Sequence, residues 1–291
     1  MSIAKMSTLH NSYRYFTVSI DGYQERCVSG IIYHAGQKPG ILFNNFLEMV
    51  LHMNNIFDEM SCPKQSMETR TFSGTRIPRP AVREYREKRA GTIATFRIYV
   101  KFRYNASWQG ELTWLEGKTE RNFESFLQMM QMINQILSGC PGQIPGGMST
   151  DICQIAIDSC AGGLIKGSVQ NAPLNYIRRF YGTVDLAETM GNLFDTGIRK
   201  LSGPGECREE IKVITKETWN AYRRGGKKGT FLIKVLFREH STWQGIIYWR
   251  DTGEKQMFRS FMEMMLLMAS TTEVDQIEQI EPKSDMIRKS G

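Results

Sequence analysis

This chain is poor in histidine, has no paired cysteines, and contains no long apolar run. Its four histidines (His10, His34, His52, His240) stand at no metal-ligand spacing, which argues against a structural zinc site. The six cysteines (Cys27, Cys62, Cys140, Cys153, Cys160, Cys207) form no Cys-x-x-Cys pair and read as buried, reduced thiols. No apolar run approaches the roughly 20 residues that cross a bilayer, so no membrane partner is expected. Residues 1–15 are polar and lack the apolar stretch of a secretory signal; the expected location is the cytoplasm. Gly225-Gly226-Lys227-Lys228-Gly229 resembles a phosphate loop in composition but lacks its spacing. No nucleophile–base pair or nucleotide fingerprint stands out, so the expectation is a non-enzymatic protein without a cofactor.

What is present is repetition, which fixes architecture before anything else. Phe16, Val18, Ile20, Gly30, Ile32, Phe43, Glu48 and Met49 recur 80 residues on as Phe96, Ile98, Val100, Gly110, Leu112, Phe123, Gln128 and Met129. They recur again as Cys153, Ile155, Ile157, Gly167, Val169, Phe180, Asp185 and Leu186, and as Phe231, Ile233, Val235, Gly245, Ile247, Phe258, Glu263 and Met264. We label these segments A, B, A′ and B′. B and B′ share Trp-Gln-Gly (Trp108 to Gly110, Trp243 to Gly245) and Phe-x-Ser-Phe (Phe123 to Phe126, Phe258 to Phe261).

Alternation such as Phe96, Ile98, Val100, Phe102 against Arg97, Tyr99, Lys101, Arg103 predicts a half-buried strand. Two shorter strands follow, then a helix. Asn45, Ser125 and Ser260, each three residues before Glu48, Gln128 and Glu263, predict capping boxes; Gly182 and Asp185 form a weaker version. Capping also explains this carboxylate column without acid–base catalysis. One apolar stripe on each helix is expected to face the sheet. The reading is α+β: four βββα modules (A-B-A′-B′) arranged as two homologous pseudo-dimeric lobes, with antiparallel sheets and helices on one face. The lobes are 12–140 and 150–270, separated by a Pro/Gly linker at 141–149 and followed by a flexible tail at 271–291.

The net charge of +7 sits in two connectors. Residues 63–91 carry eight cations against three acids, and residues 196–229 carry nine against four, leaving the rest of the chain at −3. Each connector ends in a basic knot beside an aromatic, Arg86 to Arg89 by Tyr85 and Arg223 to Lys228 by Tyr222. Cations next to stackable rings suit a phosphate backbone with unpaired bases; the plain alternative is a solvated connector. The glycine common to all four modules is structural, at a bulge, a tight turn or a close approach of backbones. Trp108 and Trp243 are either stacking platforms or plugs closing one end of the core. Asn105 to Gly110 fits the (Asp/Asn)-x-Ser-x-x-Gly signature of PilZ cyclic-dinucleotide receptors, but Arg83, Arg86 and Arg89 have the wrong spacing, and His240 to Gly245 breaks the pattern.

Strands followed by an amphipathic helix, twice per lobe, resemble the PUR-repeat and Whirly families. The likeness lies in Phe96 to Leu137 and Phe231 to Met268. The B segments also resemble small uncharacterised proteins of Gram-positive bacteria. The first resemblance implies binding of single-stranded nucleic acid, DNA or RNA. The contacts expected for that function are Arg83, Arg86, Lys88, Arg89, Arg97, Tyr99, Lys101, Arg103, Trp108, Arg223, Arg224, Lys227, Lys228, Lys234, Arg238 and Trp243. B and B′ are expected to form the surface together, with A and A′ completing the core. The alternative is an adaptor or inhibitor that engages a protein or ribonucleoprotein through its surplus of Met and Trp.

Overall fold

Strand-forming stretches dominate the chain, and each is followed by turn residues that return it antiparallel. The structure is a computed structural model that describes residues 12–139, 150–172, 174, 176–201, 225–238 and 241–272. Its elements are β1 (Tyr15–Gln24), β2 (Cys27–His34), β3 (Gln37–Phe43), α1 (Phe46–Met60), β4 (Glu84–Tyr85), β5 (Ala94–Phe102), β6 (Gln109–Trp114), β7 (Thr119–Phe123) and α2 (Phe126–Ser138). There follow β8 (Ile152–Ala161), β9 (Leu164–Asn171), β10 (Tyr176–Tyr181), α3 (Gly182–Leu201), β11 (Gly229–Phe237), β12 (Gln244–Trp249), β13 (Glu254–Phe258) and α4 (Phe261–Thr271). The linker at 141–149, most of the tail, and residues 202–224 of the second connector lie outside the described residues. The second connector also begins later than expected, because α3 runs on to Leu201.

Two antiparallel sheets result. The first has the order β4-β3-β2-β1-β5-β6-β7 and the second β10-β9-β8-β11-β12-β13. Each is continuous through a central pair, β1 with β5 (Phe16 opposite Ile98) and β8 with β11 (Ile155 opposite Phe231). The first connector supplies β4, which extends the sheet beyond β3.

Each leading strand carries a bulge at the same point: Ile20/Gly22, Val100/Phe102, Ile157/Ser159 and Val235/Phe237. Opposite each bulge stands the recurring glycine. A Cβ on Gly30, Gly110, Gly167 or Gly245 would lie 1.9, 1.8, 2.0 or 2.0 Å from the carbonyl oxygen of Ser19, Tyr99, Ala156 or Lys234. Only a residue without a side chain fits there, and the close backbone approach is the reason. The bulge also corrects the simple alternation. Past it, Phe102 and Phe237 turn outward, 46% and 54% exposed, while Arg103 turns inward.

The helix caps form as the spacing predicts. Asn45 Oδ1 accepts from Glu48 N (2.9 Å), and Ser125 and Ser260 Oγ accept from Gln128 and Glu263 N (3.0 Å each). In return, Glu48, Gln128, Asp185 and Glu263 accept the backbone N–H of Asn44, Glu124, Tyr181 and Arg259. The caps also reach across the molecule. Asn45 Nδ2 donates to Gly162 O (2.8 Å), Ser125 Oγ to Ser241 O (2.5 Å) and Ser260 Oγ to Ala106 O (2.6 Å). The helices of one sheet are thus pinned to the hairpin turns of the other.

The expected single buried stripe holds for α2, where Phe126, Leu127, Met129, Met130 and Ile133 are buried and Gln128, Gln131 and Gln135 are not, but α1 and α4 correct it. Every residue from Phe46 to Met53 of α1 and from Phe261 to Ala269 of α4 is buried, because the helices pack on one another as well as on the sheets. Contacts join α1 to α3 and α2 to both α3 and α4. Leu47, Phe126, Thr183 and Met265, one from each helix, meet at one point. Buried side chains of both sheets and of the four described helices form one contiguous cluster. No helix among the described residues is long and apolar enough to cross a membrane.

The first connector binds the two sheets together. Phe72, 1% exposed, packs on Phe231 and Trp249 of the second sheet. Arg70 N donates to Glu263 Oε1 (3.1 Å), and Ser73 N donates to Glu254. The connector then returns to the first sheet, where Leu42 N donates to Arg83 O (2.9 Å).

Candidate functional site

The nominated residues fall into three groups. Four are sealed in the interior. Trp108 is 0% exposed; its indole N–H donates to Asn54 Oδ1 (3.1 Å), and its ring meets Phe57 and Phe126 edge to face. Trp243, 5% exposed, meets Phe194 and Phe261 in the same way. Arg103 is 4% exposed, donates to Asp58 Oδ1 (2.6 Å) and Asn54 Oδ1 (3.1 Å), and covers the Phe57 ring. Lys234 is 3% exposed, with Asp151 3.5 Å away. None of the four offers a face to a ligand, so their placement in a contact surface is corrected. Burial plugs the core with Trp108 and Trp243, and the bulge carries Arg103 inside.

The rest of the Trp-Gln-Gly motif is structural too. Ser107 Oγ and Thr242 Oγ1 accept the first backbone N–H of the helices, from Phe126 (2.9 Å) and Phe261 (3.1 Å). Gln109 closes its turn on the backbone N–H and carbonyl of Tyr104. Ser107, the serine of the PilZ-like pattern, is buried and serves a helix start.

A second group is held by carboxylates. Arg83 donates to the buried Glu48 (2.8 Å). Arg89 grips Asp21 with both terminal nitrogens (2.7 Å each), and its guanidinium covers the Tyr85 ring. Burial raises the Asp21 pKa, but the bonds from Arg89 and Thr92 outweigh it and leave the carboxyl below its ordinary value. Lys101 pairs with Glu111, and that bond raises its pKa.

The third group is exposed. Arg86, Lys88 and Arg97 lie in the open, as do Lys227 and Lys228 beside β8, whereas Arg238 is half-buried, over Trp243 at 6.0 Å. Arg223 and Arg224 lie outside the described residues.

The outer face of β5 brings one set of groups together. Arg97, Tyr99 and Lys101 alternate outward. Tyr99 stacks on Tyr15 at 4.2 Å and 7°, and the Lys101 ammonium is 5.9 Å from the Tyr99 ring centre. Beyond the bulge, Phe102 stacks on Tyr104 at 5.1 Å and 9°, with both rings about half exposed. At the other end, Ser19 Oγ donates to Arg89 O (2.8 Å) and Gly91 N donates to Thr95 Oγ1 (3.0 Å). These bonds place the first basic knot against the same face. The result is a stripe from Arg86 and Lys88 through Arg97 to two stacked aromatic pairs. Tyr15, Phe102 and Tyr104 escaped the sequence reading; the bulge that exposes Phe102 is signalled only by its partner glycine.

B′ does not repeat the stripe. Thr230, Leu232 and Lys234, on the corresponding face of β11, are all buried. In B′ it is the knot ahead of β11, at Lys227 and Lys228, that stays exposed. Among the described residues no group of three or more His, Cys, Asp or Glu side chains could hold a metal ion. Comparison with protein-family models, with curated proteins and with solved structures finds no match in any of the three.

Proposed function

We propose that this is a non-enzymatic, cytoplasmic protein that binds single-stranded nucleic acid along the outer face of β5. The observation that carries the proposal is the stripe of stacked, exposed rings interleaved with Arg97 and Lys101. Bases stack on exposed aromatics whatever their sequence, and cations beside them neutralise the backbone. Glu111 and Glu120 lie on the same face, so the knot at Arg86 and Lys88 supplies the surplus positive charge.

The finer architecture belongs to the same proposal: four βββα modules from two rounds of duplication, paired as lobes 12–140 and 150–270. Four equivalent bulges with four equivalent glycines support it. On this reading the B strand has kept an open face, while its B′ counterpart has been covered.

Fluorescence anisotropy with a labelled single-stranded oligonucleotide tests the proposal. Affinity should fall steeply with salt. Tyr99→Ala should weaken binding by about 1–3 kcal/mol, the usual worth of one stacked base, and Arg86→Gln with Lys88→Gln should flatten the salt dependence. Binding indifferent to both changes would rule the stripe out. An adaptor function is the second reading, favoured by the exposed Ile177, Phe237 and Met257. Under it, a protein partner would be recovered from the native host even after nuclease treatment.

A further inference from the structure

The second sheet carries a cleft of about 570 Å³ that the proposal above does not use. Its floor is the outer side of β8, β9 and β10, and Ser159, Lys166, Arg179, Tyr181 and Lys227 line it together with the carboxylates of Asp158 and Asp185. The volume lies in the range of small-molecule sites, about 300–1,000 Å³. Lys166 stands opposite Tyr181 across the β9–β10 ladder, and its ammonium lies 4.2 Å from the centre of that ring. Lys227 is brought in by Lys228 N, which donates to Ile157 O (2.8 Å). Neither Arg179 nor Lys227 has an ion-pair partner among the described residues. Asp185 pairs with Arg26 (3.0 Å), which also holds Glu188 (2.7 Å), and accepts from Tyr181 N (2.9 Å).

The same place in the first sheet shows what has changed. There the residues corresponding to Lys166, Arg179 and Lys227 are Ser29, Leu42 and Thr92, all neutral. Asp21, the counterpart of Asp158, is closed off by Arg89 and Thr92. At one site on one sheet, three neutral residues are matched by three cations on the other. Three cations against the two carboxylates of Asp158 and Asp185 leave this cleft with a surplus positive charge that its counterpart lacks.

We propose that this cleft binds phosphate esters, with Lys166, Arg179 and Lys227 as the phosphate ligands. Arginine and lysine give charge-assisted hydrogen bonds to phosphate oxygens, and the Ser159 hydroxyl adds a neutral donor. The phosphate can come from a free nucleotide-sized molecule or from a polynucleotide.

Calorimetry on the full chain distinguishes these sources, with inorganic pyrophosphate as one probe and a single-stranded oligothymidylate of about twelve nucleotides as the other. Pyrophosphate should bind saturably, and Lys166→Gln with Arg179→Gln should weaken it at least tenfold. Lys227→Gln alone should weaken it less, and circular dichroism should show all variants folded. Silence with pyrophosphate, but oligothymidylate binding weakened by Lys166→Gln with Arg179→Gln, would assign the cleft to polynucleotide phosphate. Pyrophosphate binding unchanged in that variant would overturn the proposal, as would failure of both probes to sense it. Tyr99→Ala serves as the control: it should leave pyrophosphate binding intact, so loss of the β5 interface and loss of the cleft give different patterns.

Discussion

Single residues in this chain carry structural duties that their chemistry alone does not reveal. Trp108 fills the space between Phe57 and Phe126 with its N–H satisfied. Trp108→Ala should cost about 3–5 kcal/mol, as large-to-small changes of buried aromatics do, measured by denaturant unfolding. A loss under 1 kcal/mol would show the ring to be dispensable and reopen a binding role. Asp21 gives a pH prediction. Its carboxyl is held below its ordinary value despite burial, so the native state resists protonating it. The stability it contributes is present above the ordinary carboxylate range, about 4, and is lost as pH falls through the lower folded value. Asp21→Asn should therefore melt lower than the parent at neutral pH and converge with it in acid. Parallel melting curves across that range would contradict the linkage.

At the scale of elements, the first connector is more than a link. It leaves α1, docks Phe72 on the second sheet, and returns to add β4 to the first. On the second-sheet side it is attached by the buried Phe72 ring, by the bonds of Arg70 to Glu263 and Met257 O and of Ser73 to Glu254, by Arg259 donating to Glu68 O, and by the Thr75 hydroxyl with Ser270. Phe72→Ala should release the middle of this strap while leaving both sheets intact. Trypsin should then cut after Arg76 much faster than in the parent. An unchanged cleavage rate would mean that the polar bonds alone suffice. The caps make a related point. Each of Asn45, Ser125 and Ser260 serves its own helix and a turn of the opposite sheet, so a cap that spacing predicts locally also fixes where that helix sits globally.

For the whole molecule, the decisive fact is that one buried cluster spans both sheets. Helix α4, and α1 over Phe46 to Met53, are buried on all sides and cannot be left with only one sheet, since their second apolar face would meet water. The full chain should therefore unfold in one cooperative transition, with fluorescence and circular dichroism coincident. A chain ending at residue 139 should expose its helices and associate. Two separated transitions, or a stable monomeric half, would show that each sheet has a sufficient core of its own.

The repeat, read from the sequence alone, determined the strand and helix order, the capped helix starts and the four glycines that no other residue can replace. These are legible because they depend on spacing and backbone sterics, which neighbours in the chain impose. Charge and aromatic content were legible as amounts but not as surfaces. Arg97 and Arg103 look alike in the alternating strand, yet a bulge leaves one in solvent and folds the other against Phe57. For Trp108 and Trp243 the strand-entry position favours a plug over a stacking platform, and packing encloses both. Arg89 and Lys88 are adjacent, yet Asp21, distant in sequence, holds one while the other stays exposed. Whether a cation is free depends on which carboxylate the fold brings within about 3 Å, and whether a ring is open depends on which layer covers it. Both are long-range consequences of stacking two sheets around four helices, and tertiary structure alone decided them.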